Sequence, residues 1–170
     1  MKHGSVEVIC GTSRGKTTFA VGKGIVALTK QKRVIMIQFL KGSANQEGLN
    51  ILRNLEPNLK IFRFEKSDTV FADLPDMEKA EELKNIRNGF NFAKKVVGTG
   101  ECDMLILDEV LELFDQNIIT VEDFEKLLDA RTEDTSLVLT GTMLPEKLKP
   151  YVDIISRIEY IEVDKDKEEC

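Results

Sequence analysis

The chain of 170 residues has one histidine, no tryptophan, three cysteines and four prolines. A single histidine excludes a multi-histidine metal site, and its place at position 3, near a terminus expected to fray, disfavours a serine–histidine–aspartate relay. Cys10, Cys102 and Cys170 are odd in number and far apart. No pair has metal-ligand spacing and no disulfide framework follows; Cys10 and Cys102 read as small buried apolar residues. No apolar run approaches the ~18 residues of a membrane span. The opening MKHGSVEVIC has no long apolar stretch followed by a small-residue cleavage site. The expected location is a reducing cytoplasm, with no membrane partner. Basic residues are also in the minority, 24 against 30 acidic, for a net charge of −6. That balance argues against nucleic acid as the main partner, because duplex binding needs a basic face to replace counterions. It leaves room for a local basic pocket that takes a small anion.

What is present is a regular alternation of short apolar runs and amphipathic segments. Ser5–Cys10, Arg33–Leu40, Lys60–Phe64, Cys102–Leu107 and Ser136–Thr140 read as strands, and Ile154–Val163 as an edge strand. Helical spacing runs over Lys16–Thr29, Gln46–Leu55, Pro75–Val97, Val121–Ala130 (capped by Thr120) and Pro145–Tyr151. Gly22 and Gly24 weaken the first helix by about 1 kcal/mol each unless something packs closely there. The pattern predicts an α/β fold: a parallel sheet of about five or six strands with helices on both faces. No linker, repeat or low-complexity tract interrupts it. One domain is expected over residues 1–163, followed by a charged tail at 164–170. The charge-dense stretches KAEELK and EDFEK read as solvated helix faces, and Phe62, Phe64, Phe90 and Phe92 as core.

The chemistry concentrates between the first strand and the first helix. Gly11-Thr12-Ser13-Arg14-Gly15-Lys16-Thr17-Thr18 has the composition of a phosphate loop, whose backbone N–H groups at a helix N-terminus bind anions. Three residues separate the glycines, where the common form has four. Lys16 would reach terminal phosphates as a point charge, Arg14 would add a second positive group, and the Thr17 hydroxyl would ligate Mg²⁺. A second element fits the first. Met104-Leu105-Ile106-Leu107 is a hydrophobic strand that ends in Asp108 and Glu109. At the C-terminal end of a parallel strand, Asp108 can hold Mg²⁺ directly or through water, and Glu109 can serve the metal or orient a reactant.

Three further stretches narrow the choice: Gln38-Phe39-Leu40-Lys41-Gly42, Leu107-Asp108-Glu109 and Leu139-Thr140-Gly141. With the shortened loop, their order and separations resemble the P-loop ATP:corrinoid adenosyltransferase family over about Val6 to Asp153. The shortened loop and the QFLKG segment are the specific signals. The resemblance implies a P-loop NTPase fold of RecA-like type, with ATP, Mg²⁺ and a corrinoid as ligands. It implies transfer of the 5′-deoxyadenosyl group of ATP to Co(I) of the corrinoid, with release of triphosphate. The nucleophile is then the substrate's cobalt, so the shortage of histidine is no obstacle. The resemblance places triphosphate on residues 11–18, the metal on Thr17, Asp108 and Glu109, and Gln38 and Lys41 beside nucleotide or corrinoid. Lys16, Asp108 and Glu109 would carry the catalytic work. A homodimer and a reductase that supplies Co(I) are implied partners.

The chain also departs from the family pattern. Ser13 stands at a usual glycine, Thr142 at the arginine after threonine–glycine, and Phe71 at a tryptophan that helps form the corrinoid site. The family's lysine–histidine–proline segment near the C-terminus and the N-terminal arm of many members have no counterpart here. Two other readings therefore stay open: an ATP-binding accessory or regulatory relative without a corrinoid site, and another phosphate-loop kinase or NTPase.

Overall fold

Six short strands account for the sheet at the centre of the structure. They are β1 (Val6–Cys10), β2 (Val34–Gln38), β3 (Leu59–Arg63), β4 (Met104–Asp108), β5 (Ser136–Gly141) and β6 (Ile154–Arg157). In the computed structural model, which describes residues 4–39, 47–64, 69 and 71–163, they form one sheet in the order β3-β2-β4-β5-β1-β6. Every pairing is parallel. Parallel neighbours need crossovers, and the helices supply them: α1 (Lys16–Thr29), α2 (Asp76–Gly98), α3 (Leu111–Asp115) and α4 (Val121–Ala130). This is an α/β fold of the P-loop NTPase kind, as expected. Among the described residues no helix is long and apolar enough to cross a membrane.

The two faces of the sheet bury different amounts. Alternation sends Val6, Val8 and Cys10 of β1 to the face covered by α2, α3 and α4, with Phe90, Phe114 and Phe124. Ile9 faces the smaller cluster under α1, with Ala20, Ala27, Met36 and Ile106. Each large side chain fully buried here contributes about 1.5–3 kcal/mol. Gly24 of α1 sits where an added Cβ would lie 3.3 Å from both Ile106 and Val34, so its small size allows the helix to approach the sheet. Gly22 faces open space and has no such reason. Cys10 and Cys102 are buried free thiols. Burial pushes the Cys102 thiol up to about 12.

Local signals explain most boundaries. Thr120 caps α4 reciprocally, its hydroxyl accepting from Asp123 N–H at 3.2 Å while the Asp123 carboxylate accepts from Thr120 N–H at 3.0 Å. The segment before β3 forms a 3₁₀ helix over Glu47–Leu55, and the one before β6 another over Glu146–Tyr151. Two differences from the sequence reading matter. The edge strand stops at Arg157 and does not reach Val163, because its partner β1 ends at Cys10 and offers no further ladder. The short helix α3 follows directly after Asp108-Glu109 and carries no periodic pattern long enough to announce it.

Candidate functional site

The carboxyl ends of the strands gather the chemistry. The β1–α1 turn needs its two glycines for different reasons. Gly11 has φ 141°, and a Cβ there would lie 2.2 Å from the carbonyl oxygen of Ile158. Gly15 has φ 103° in the left-handed region and is the N-cap of α1. A short loop between these two conformations brings the chain straight onto the helix N-terminus. That terminus has no side-chain cap and no acidic residue in its first turn. An uncapped helix N-terminus with its positive dipole end suits an anion. Lys16 turns back over the loop, Nζ donating to the Ser13 carbonyl at 2.8 Å. The Gly11 N–H is already committed to the Thr142 carbonyl at 2.9 Å, so it does not add to the anion cradle.

Thr17, on the first turn of α1, points down to the end of β4. Its Oγ1 donates to Asp108, 3.0 Å from Oδ1 and 3.2 Å from Oδ2. Asp108 is 0% exposed, and a buried carboxylate needs partners to be tolerated. Among the described residues, three side chains donate to it. Besides Thr17, Thr140 Oγ1 donates to Oδ1 at 2.7 Å and Gln38 Nε2 donates to Oδ2 at 3.0 Å. Thr140 in turn accepts the Glu109 N–H at 2.9 Å. Glu109 itself holds φ 63°, a conformation that costs a non-glycine residue about 1–2 kcal/mol. Such strain gathers at functional sites.

This donor set fits Mg²⁺. Among the described residues no group of three or more histidine, cysteine, aspartate or glutamate side chains forms a protein cage. Mg²⁺ is usually held differently, by one or two protein oxygens, substrate phosphates and water. Thr17 donates a hydrogen bond to Asp108, and a hydroxyl that donates in this way can also present its oxygen to a cation.

The structure therefore unites Gly11, Gly15, Lys16, Thr17, Gln38, Asp108 and the Glu109 backbone around one end of the sheet. Ser13 is half-buried and its Oγ accepts the Tyr160 N–H at 3.1 Å. Thr12, Arg14 and Thr18 are exposed. Thr18 lines a groove of about 770 Å³ between a flank of α1 and the sheet, with Phe19, Gly22, Val26, Glu7 and Met104. Phe71 opens a 3₁₀ helix and packs, partly buried, against the cluster under α2, on the opposite face from α1. Lys41 and the 164–170 tail lie outside the described residues, as do Asp68 and Val70 beside Phe71. Thr140 and Arg63 were not singled out as site residues from sequence. Thr140 lies within a stretch that carried the resemblance, whereas Arg63 gave no signal. Beside the loop is a cavity of about 880 Å³ lined by Gly11, Thr12, Ser13, Thr142, Leu144 and Arg157. That volume lies within the range of cofactor-sized sites, about 300–1,000 Å³.

The sequence is similar to those of known proteins. The corrinoid adenosyltransferase of Escherichia coli (strain K12) is 24% identical over 157 residues, covering 92% of this chain and 77% of that protein. Corrinoid adenosyltransferase CobA of Salmonella typhimurium (strain LT2) matches at the same identity and coverage. An uncharacterized protein of a Nostoc species is 24% identical over 167 residues, 92% of this chain and 44% of its own. The sequence model described as ATP:corrinoid adenosyltransferase BtuR/CobO/CobP matches residues 2–168, and the chain belongs to that family.

Proposed function

We propose that the chain transfers the 5′-deoxyadenosyl group of ATP to Co(I) of a corrinoid, cobalamin or a precursor, and releases triphosphate. The observation that carries this is the contact between Thr17 and Asp108 under an uncapped helix N-terminus, in a chain of this family. In the reaction, cobalt supplies both electrons of the new bond to C5′, and the C5′–O bond breaks with its pair leaving on triphosphate. The protein needs no nucleophile of its own. Its work is to hold C5′ against the cobalt and to stabilise the departing charge.

Lys16 would leave the Ser13 carbonyl and take a phosphate oxygen. The N–H groups at the start of α1 would bind the same chain of phosphates, with Arg14 swinging in from solvent. Thr17, backed by Asp108, would hold Mg²⁺, and Glu109 would stand beside it. Bound there, Mg²⁺ neutralises the triphosphate and makes it a better leaving group. The cavity beside the loop would take part of one substrate. Phe71 would offer an apolar face to the corrinoid from the α2 side. Co(I) would come from a reducing partner, and the family resemblance favours a cytoplasmic homodimer.

The second reading, an ATP-binding relative without corrinoid turnover, is favoured by one observation: Phe71 is engaged in core packing. Mixing the protein with ATP, Mg²⁺ and chemically reduced cobalamin decides between them. Appearance of the adenosylcobalamin spectrum is expected. Clear ATP binding with no product from several reduced corrinoids would leave the second reading standing.

A further inference from the structure

At the carboxyl edge of the sheet, Arg63, Gln38 and Asp108 stand in one register row on β3, β2 and β4. Residues in register on parallel neighbours present their side chains to the same face. Here they join end to end. Arg63 Nε donates to Gln38 Oε1 at 2.9 Å, and Gln38 Nε2 donates to Asp108 Oδ2 at 3.0 Å. Gln38 is 1% exposed, so water does not replace either bond. An amide placed between a guanidinium and a carboxylate has one good orientation, with oxygen to the cation and NH₂ to the anion. The reverse would set acceptor against acceptor and donor against donor.

We propose that Arg63 is a positioning residue of the nucleotide site, acting on Asp108 through the Gln38 amide. The proposal rests on the nucleotide-binding reading above. Without the guanidinium, Gln38 Oε1 is buried without its donor, and such a group is costly to leave unpaired. The side chain then turns to find water or another donor, and Nε2 leaves Asp108. The carboxylate loses its Gln38 bond on Oδ2, one of the contacts that fix the plane receiving the Thr17 hydroxyl. Arg63 touches neither Thr17 nor Asp108 through any of these bonds, so its influence runs by way of Gln38. A lysine at position 63 keeps the charge but not the planar Nε–H, and would hold the amide less firmly.

The test measures affinity for a fluorescent ATP analogue in Mg²⁺ and in EDTA. The chains compared are wild type, Arg63→Met, Arg63→Lys, Gln38→Met and the Arg63→Met/Gln38→Met double variant. Arg63→Met is expected to reduce the Mg²⁺-dependent gain in affinity about three- to tenfold, the size of one hydrogen bond, with affinity in EDTA unchanged. Gln38→Met is expected to lose at least as much, and the double variant no more than Gln38→Met alone. Equal losses in Mg²⁺ and EDTA would mean a merely structural role and overturn the proposal. Additive losses would overturn it too, since Arg63 would then act without Gln38; so would an unchanged Mg²⁺ dependence. Should Arg63→Met not fold, Arg63→Lys is read the same way, with a smaller loss of the same kind expected. A second readout needs no nucleotide. The Gln38 side-chain amide resonance, assigned by its absence in Gln38→Met, should exchange slowly in wild type and fast in the Arg63 variants. Unchanged exchange would overturn the proposal. If wild type binds no ATP, the nucleotide reading falls, and amide exchange alone decides whether Arg63 positions Gln38.

Discussion

Thr17 and Asp108 are separated by 91 residues and meet through a hydrogen bond of 3.0 Å between the first turn of α1 and the end of β4. The bond joins the phosphate loop to the hydrophobic strand that ends in carboxylates. It also has a direction. The hydroxyl donates, and a donating hydroxyl can also present its oxygen to a cation. Removing either partner should therefore affect metal-dependent binding most. Thr17→Ala and Asp108→Asn are each expected to weaken Mg²⁺–ATP binding about 10- to 100-fold, as for loss of a bond to a charged group. Thr17→Ser keeps the hydroxyl and should retain most of the affinity. Titration with a fluorescent nucleotide, with and without EDTA, checks this. A Thr17→Ala chain with undiminished Mg²⁺ dependence would remove Thr17 from the metal site.

Lys16 and Phe71 should separate the two substrates. Lys16→Ala takes away the charge that turns back over the loop and is expected to abolish ATP binding by calorimetry. Phe71 packs against the α2 cluster, on the face opposite α1. Phe71→Ala should leave ATP affinity within about twofold, since it breaks no bond of the loop. Under the adenosyltransferase reading, Phe71→Ala should also slow corrinoid turnover. Thermal unfolding is measured in parallel, because truncating a packed phenylalanine costs stability of about 3–5 kcal/mol when fully buried and less here. Turnover unchanged in a folded Phe71→Ala chain would exclude Phe71 from the corrinoid site.

The two glycines within α1 should respond oppositely to alanine. Gly22 faces open space, so Gly22→Ala is expected to stabilise by about 0.5–1 kcal/mol through helix propensity and a less flexible unfolded chain. At Gly24 the added methyl would lie 3.3 Å from Ile106 and Val34, tighter than ordinary contact. The propensity gain is then offset by overpacking, which costs about 1–3 kcal/mol. Denaturant midpoints of the two variants give the comparison directly. Gly24→Ala as stabilising as Gly22→Ala would show that α1 is not held against the sheet as closely as these distances require.

Much of this site could be read from residues in order. Gly11 and Gly15 are legible as the glycines of a phosphate loop between a strand and a helix, and Asp108 because the acidic end of a hydrophobic strand accompanies that loop in one chain. The strands of the centre were legible because each is nearly continuous in apolar residues. Arg63 was not. In KIFRF it reads as one polar position of an alternating strand, and its bond to Gln38 exists only because β3 lies beside β2 and β2 beside β4. Thr140 owes its place next to Asp108 to the same strand order. Pairing order is a property of the whole chain, and no local pattern states it. The end of β6 at Arg157 was hidden for a related reason: Ile154–Val163 remains apolar and alternating, but β1 runs out first.

Ser13 gives a last test, drawn from a position where this chain differs from the family's glycine. Its hydroxyl accepts the Tyr160 N–H at 3.1 Å and ties the segment after β6 to the phosphate loop. Ile158 reinforces the tie, donating its N–H to the Cys10 carbonyl at 2.8 Å while its carbonyl blocks any side chain at Gly11. Tyr160, Ile161 and Val163 are exposed, so little apolar burial holds this stretch in place. Loss of the single Ser13 bond should therefore show locally and hardly at all globally. Ser13→Gly is expected to speed amide exchange at Tyr160 about two- to tenfold, while global stability changes by less than about 1 kcal/mol. Hydrogen exchange followed by mass spectrometry on peptides covering 158–163 measures it. Unaltered exchange would show that the Ile158 ladder alone anchors the segment, and the serine would then have no part in holding the chain over the loop.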